Sequence, residues 1–553
     1  MEGMSAMEKP RFQVAQDGSF APVNAAAMAW MGTNSKRDAA RHDVSEFSGW
    51  RPNVRFAGHA DYSDVRTILG RARSLDEDNG WINAGLDRRV ESVIGTRIRL
   101  SAQPRHELLN RDYEWRMGWT GNVQSRWEVW ANDIEHRNDA RRRLSFGAQA
   151  KLAYLGYVRD GAAAAEIRDN DRGLSNTTNV LLIEPERVSH PQDRGQSESP
   201  RLRNGFAYDE NGAPLGAYVR SAHENDPNAG FANARWDYIP MRGPTGRAKF
   251  VYCFSPRRAE QEIGISKLAE VMVPSKMLDR VDRAKVNEAL KAALFSLFIE
   301  SPGTTEDLEG MLAPSNDDSS VDPWIEAYAD LREKRPVFVD GAQVNHLLPG
   351  EKPHQIKTDA TVGYAEFAGF ILRKIAGSIG VAPPQLSGDW VGINYSSARA
   401  MLNELWRSFL EDRHYFTQHF LTPIYAAWLE MEVANGDVKV PGGPLAFYKN
   451  KTALCMCEWI GPGRGSVDPL KEANANNLDE AAGRKSVVES IMETGRDPVD
   501  VLAEEAWYAQ EREKRGLAPV NRNVKADAST DTADQTGDGG EQAAPPQTKK
   551  EPA

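Results

Sequence analysis

Cysteine is scarce: Cys253, Cys455 and Cys457 are the full complement of a 553-residue chain. So odd and sparse a count excludes a disulfide framework and fits a reducing compartment. The Cys455-x-Cys457 pair has no histidine beside it and lies in a strand-like run. A zinc site needs three or four convergent ligands, so the pair is expected to be structural thiols, with no metal. Long apolar runs are missing too. None approaches the roughly 18 residues of a membrane helix, and no membrane partner is expected. The opening residues lack the charged-then-apolar pattern of an export signal, so export is not expected.

Positive charge is also short. Lys and Arg number 68 against 79 Asp and Glu, a formal net charge of −11. A tight, sequence-reading grip on nucleic acid needs clustered Lys and Arg to neutralise phosphates, and this balance argues against one. It leaves room for a DNA partner held loosely.

Enzyme signatures are missing as well. No G-x-x-x-x-G-K-[ST] phosphate loop occurs; Gly243-Pro244-Thr245-Gly246-Arg247-Ala248-Lys249 has the composition but neither the spacing nor the magnesium-binding hydroxyl. No G-x-S-x-G elbow is present. His414 and His419 are five apart, so on a helix their rings diverge by about 140°. Two surface or half-buried histidines are expected. Glu404, Glu411 and Asp412, near Arg407 and Arg413, read as surface ion pairs. Trp50, Trp81, Trp115, Trp119, Trp127 and Trp130 could stack on bases. Without a dense basic stripe between them, core anchors are the stronger reading. No catalytic residue and no cofactor is expected.

What is there is an α+β pattern. Residues 1–44 show no lasting period and read as a loose arm; 519–553 are polar, nearly free of large apolar residues, and read as disordered. Val180–Ile183, Ala217–Val219 and Phe250–Phe254 read as strands, with Asp209-Glu210-Asn211-Gly212 as turn chemistry. From 275 helices take over. Ser275 is expected to cap a helix over 276–299, and Asp359 one carrying Tyr364, Phe367, Ile371, Leu372, Ile375 and Ile379, stopped at Gly380. Between them, Val337–Val339 reads as a strand, and ten carboxylates against three basic residues fill 301–340. A loop spans 383–394. A long helix over 395–434 is expected to kink near 419–423, where Pro423 removes a backbone donor. Strands are expected over 446–460, and a helical bundle over 468–516.

Motifs in a fixed order resemble one family. They begin with Arg71-Ala72-Arg73-Ser74-Leu75 and Val93-Ile94-Gly95-Thr96, then Leu182-Ile183-Glu184-Pro185-Glu186-Arg187-Val188. The most specific block is Leu386-Ser387-Gly388-Asp389 followed by Asn394-Tyr395-Ser396-Ser397-Ala398-Arg399, then Trp406-Arg407 and Phe420-Leu421-Thr422-Pro423-Ile424-Tyr425. Trp459-Ile460-Gly461-Pro462 and Val467-Asp468-Pro469 close the series. Over roughly 45–520 the chain resembles the lambda-type portal family of tailed phages.

The resemblance implies a portal fold. Its wing would be 45–274 plus 395–465, its stem helices 275–299 and 359–382, its clip 300–358, its tunnel loop 383–394 and its crown 466–518. It implies a homododecamer at the capsid vertex of the virion, assembled in the host cytoplasm. Double-stranded DNA would cross its channel, and its partners would be the terminase large subunit, then a head–tail adaptor, with scaffold and major capsid protein. Gln385, Ser387, Asp389, Trp390 and Asn394 would line the channel, with Asp389 either a ring of charge or an ordinary turn residue capping Trp390. Glu306, Asp307, Asp317, Asp318, Asp322 and Trp324 would serve docking at the clip, though the acidic stretch alone reads as a solvated loop. Another head–tail connector or minor capsid protein is the alternative; a nuclease or packaging ATPase would need the carboxylate or phosphate-loop chemistry just found absent.

Overall fold

The computed structural model describes residues 12–14, 20–22, 54, 62–173, 175–191, 201–230, 235–295, 337–339, 342–344, 364–465 and 469–519. Trp50, Asp359 and the six clip residues from Glu306 to Trp324 lie outside them. Met1–Ala60 and Asp61–Ala553 are separate units. The first contributes an antiparallel hairpin, β1 (Phe12–Val14) with β2 (Phe20–Pro22).

The second unit opens with α1 (Tyr62–Asp78) and α2 (Gly80–Val93). Asn79 separates them by capping α2, its side chain accepting from the Ile82 amide at 3.0 Å. After β3 (Arg99–Ala102) come α3 (Tyr113–Ala131), capped by Asp112, and α4 (Phe146–Arg159), capped by Ser145. Then β4 (Ala162–Asp169) and β5 (Thr178–Ile183) join β10 (Phe250–Phe254) in a three-stranded antiparallel sheet of order β10-β4-β5. The four alanines that start β4 are all buried, so both faces of that strand carry close neighbours. A four-stranded meander follows: β6 (Leu202–Arg203), β7 (Phe206–Tyr208), β8 (Pro214–Arg220) and β9 (Trp236–Pro240). Its β7–β8 turn forms as the sequence implies, with Asp209 Oδ1 accepting from the Asn211 and Ala213 amides.

Helix α5 runs Met272–Phe295, four residues earlier than expected. A 3-10 turn at Ala269–Val271 already aims the chain, and Pro274 falls in the first turn, where no amide is required. Ser275 therefore does not cap; its hydroxyl donates back to the Val271 carbonyl at 2.7 Å. Strand β11 (Val337–Val339) forms as expected and pairs with β12 (Ala342–Val344). Helix α6 (Tyr364–Ile379) buries Ile371, Ile375, Ala376 and Ile379 and stops at Gly380, which adopts φ +78°. The expected loop from 383 begins instead as a short helix, α7 (Pro383–Ser387), because prolines suit the first helical positions.

The long helix is α8 (Tyr395–Phe416), a π turn (Thr417–Leu421) and α9 (Thr422–Ala434). Within the π turn the Thr422 amide reaches back five residues to the Thr417 carbonyl. The interruption falls where Pro423 was expected to disturb the ladder. The region after it differs from expectation. Pro444–Lys449 (α10) and Lys451–Leu454 (α11) are helical, and only β13 (Cys457–Ile460) is a strand. Gly443-Pro444 starts α10, and runs this short show no period to read. Strand β13 pairs antiparallel with β3, Cys457 opposite Ala102, so the late chain is stitched to the early chain. Helices α12 (Pro469–Ala481), α13 (Val487–Glu493) and α14 (Pro498–Lys514) end the described chain.

One large core joins α1–α11 with β3, β4, β5, β10 and β13, and tryptophans hold it; the four-stranded meander packs on a smaller cluster with Ile183, Phe206, Ala217 and Phe250. Trp127 packs edge-on to Phe146 at 4.9 Å and to Trp428 at 5.1 Å, and lies 4.8 Å from Trp130. Trp119, Trp127 and Trp130 are buried, while Trp81 and Trp115 are partly buried against the same core. Each buried indole contributes about 2–3 kcal/mol of apolar burial, which explains the spacing better than base stacking. All three cysteines are free and buried, and burial pushes the Cys455 and Cys457 thiols up to about 12.

Candidate functional site

The loop that joins α7 to α8 is short and tightly turned. Gly388 and Gly392 both adopt positive φ, which a side chain would resist. Ser387 Oγ donates to the Pro383 carbonyl at 3.1 Å and accepts from the Asp389 amide at 3.2 Å. Asp389 Oδ1 accepts from the Val391 amide at 2.9 Å, an Asx-type turn that spans Trp390. Asp389 is exposed, as are Trp390 (43%) and Val391 (90%). Asp389 is the one charged residue between 388 and 394.

Two of the residues read as channel lining have structural tasks. Gln385 Oε1 accepts from the Ala382 amide at 3.0 Å, closing the start of α7. Asn394 Oδ1 accepts from the Ser397 amide at 2.8 Å and so caps α8. Ser396 and Ser397 stay exposed on its first turn, and Arg399 is half-buried. Trp406 is half-buried under the Arg413 guanidinium, 5.5 Å from its ring. Pro423 opens α9, just after the π turn.

Beneath the loop lies a charge cluster that sequence reasoning missed. Arg89 on α2 is 3% exposed. Its Nη1 donates to the carbonyls of Ile379 and Gly380, each at 2.8 Å, and its Nε to the Tyr154 hydroxyl at 3.2 Å. Its Nη2 pairs with Asp412 on α8. Tyr154 donates to the same carboxylate at 3.0 Å, and Lys267 Nζ reaches it at 2.9 Å. Burial pushes the Asp412 carboxyl up, but the charges of Arg89 and Lys267 outweigh it and hold its pKa below the ordinary value. Burial likewise holds the Lys267 ammonium below its usual range. Asp412 is thus no surface ion pair. Nor is Arg413, which is 7% exposed and donates to the carbonyls of Ser92, Val93 and Pro462, closing the end of α2. Only Glu404–Arg407, at 3.7 Å and well exposed, matches the surface reading. His414 and His419 are exposed. A signal was available: Arg89 and Asp412 each fall on an apolar stripe, with Leu86 and Val93, and with Phe409 and Phe416.

The ordered motifs meet in space. Arg73 pairs with Glu186 at 2.5 Å and with Asp160 at 3.1 Å. Arg187 donates to the Arg220 and Ser221 carbonyls. Gly95 lies against Pro462 so closely that an added Cβ would sit 2.9 Å from its ring. Glu184, Glu186 and His223 also converge within 4.8 Å, but Glu186 is held by Arg73, which makes this trio part of the ion-pair network.

The class defined is a mixed helix–sheet protein with a rigidly footed helix–loop–helix and no assembled catalytic group among the described residues. Comparison with known proteins is specific. A family model described as phage portal protein, lambda family, matches residues 44–413. The portal protein of Escherichia phage N15 is 28% identical over 480 residues, 86% of this chain and 89% of that one. Portal protein B of Escherichia phage lambda gives the same identity and coverage. The probable portal protein of Halomonas phage phiHAP-1 is 23% identical over 493 residues, 87% of each chain. Among solved structures, the neck of a native gene transfer agent particle computed with C12 symmetry aligns with a TM-score of 0.36 at 12% identity, covering 84% of this chain and 95% of that one. The chain belongs to the lambda family of phage portal proteins.

Proposed function

We propose that this portal protein forms a dodecameric ring at one capsid vertex, and that double-stranded DNA passes its axial hole during packaging and again at ejection. The wing is 45–274 plus 395–465, the stem 275–299 and 359–382, the clip 300–358 and the crown 466–518. The terminase large subunit docks at the clip and supplies ATP hydrolysis; a head–tail adaptor follows it. Scaffold and major capsid protein are further partners of the ring as the capsid is assembled in the host cytoplasm. Acidic clip residues such as Glu306, Asp317 and Asp322 steer basic partner surfaces by long-range attraction. The chain itself needs no cofactor and performs no catalysis.

The observation that carries this reading is the family match over 44–413, which ends beyond the turned loop at 388–394. Duplex DNA carries one negative charge per about 1.7 Å. Ring symmetry copies each channel side chain. A ring of lysines at the loop would hold phosphates, whereas a ring of Asp389 carboxylates repels them and keeps DNA centred and free to slide. Asp389→Lys is expected to slow or halt DNA uptake in a reconstituted packaging assay while rings still form by electron microscopy. Uptake at the unmodified rate would remove Asp389 from the mechanism.

A further inference from the structure

We propose that Arg89 is the positioning residue of the channel loop, holding both arms of the loop through one guanidinium; this rests on the reading of 388–394 as channel-facing. On the entering side, Ile379 and Gly380 end α6, and their carbonyls lack partners within that helix. Arg89 supplies them, each at 2.8 Å. The fit is close enough that an added Cβ on Gly380 would lie 2.0 Å from Arg89 Nη1. Helix α2 also supports α7: an added Cβ on Gly85, one turn before Arg89, would sit 3.1 Å from Leu386 Cδ1 and 2.8 Å from Ile379 Cδ1.

On the exiting side, α8 leaves the loop as a lever. No side chain from Ser396 to Ser408 is buried, and Phe409 is the first that is. That stretch is about 20 Å of helix. Its root is held by the same arginine, whose Nη2 pairs with Asp412 and whose guanidinium lies 5.8 Å from the Phe409 ring centre. Tyr154 and Lys267 fix the Asp412 carboxylate from two further elements, and Ser378 on α6 donates to the Lys267 carbonyl at 2.8 Å. Force on the loop therefore reaches the core at a buried node shared by α2, α6 and α8, with Arg413 as a neighbouring anchor of α8 on the end of α2. Lysine cannot replace the arginine, because its ammonium lacks the planar fork that serves two carbonyls, a hydroxyl and a carboxylate together.

The test is hydrogen–deuterium exchange on the full-length assembled protein, comparing Arg89→Lys, Arg89→Met and Asp412→Asn with the unmodified chain. Amides of 378–408 are expected to exchange about tenfold faster or more in each variant, while those of β4, β5 and α9 hold their rates. Unchanged exchange over 378–408 would overturn the proposal. Uniform loss of protection across the core would too, since that marks a merely structural arginine. If Arg89→Met fails to assemble, Arg89→Lys decides, because it keeps the charge. A packaging assay on the same variants separates this inference from the reading beneath it. Faster local exchange with more frequent DNA slippage supports both. Faster exchange with unaltered packaging keeps the node and removes the channel-facing loop.

Discussion

Asp412 accepts from Arg89, Tyr154 and Lys267, and its side chain is 19% exposed. Removing one member of such a cluster leaves buried charge without its partner, which costs about 3 kcal/mol or more. Asp412→Asn should therefore lower stability at neutral pH by that amount. The pH dependence fixes the cause. The folded pKa of Asp412 lies below the ordinary aspartate value, because Arg89 and Lys267 outweigh its burial. The unfolded chain thus binds the proton more readily, and the ionised carboxylate stabilises the fold above its unfolded pKa. That contribution is lost as pH falls through the folded value. In urea unfolding, the gap between the unmodified protein and Asp412→Asn should be full at pH 7 and narrow steadily below about pH 4. A gap of constant size would assign the loss to packing instead of charge.

Among elements, α8 depends on its cap. Asn394→Ala removes the bond to the Ser397 amide and should cost about 1 kcal/mol. The loss should appear as faster amide exchange in the first turn of α8, with α9 unaffected; equal protection in both proteins would show that neighbours, not the cap, hold that turn. Elements with a full period were legible in the sequence. The stripe Ile371, Ile375 and Ile379 with Gly380 marks α6, and the apolar runs mark β5, β8 and β10. Helix α7 hid behind Pro383-Pro384, which reads as a break although both residues fit a first turn. Helices α10 and α11 are too short for periodicity to declare itself. The loop was legible in part, from a run of small, polar and aromatic residues over 383–394 of which Pro383–Ser387 is helical instead. The node under it was not, because Arg89 and Asp412 are 323 residues apart and their pairing leaves no local trace beyond two charges on apolar stripes.

At the scale of the whole molecule, the apolar surface is distributed as an unfinished core. On α5 and α6, Val273, Met277, Val286, Leu290 and Phe370 are each more than half exposed. None of α12, α13 or α14 has a buried residue, yet Leu470, Leu478, Val487, Leu502 and Trp507 lie open on them. Among the described residues no helix is long and apolar enough to cross a membrane, so a bilayer-spanning helix does not account for these faces. An obligate interface resembles a domain core cut in half, and exposed apolar surface of this extent marks such a face. Copies of the chain packed side by side along α5 and α6 would cover the part on those helices. Val286 (59% exposed) and Leu290 (55%) contribute little to the subunit's own core, so charging them should leave the fold intact while placing like charges at the subunit contact. The Val286→Glu, Leu290→Glu double variant is expected to unfold within about 0.5 kcal/mol of the unmodified chain yet to remain monomeric by light scattering. Rings that still form at the same concentration would mean that this face of α5 is not where the subunits meet.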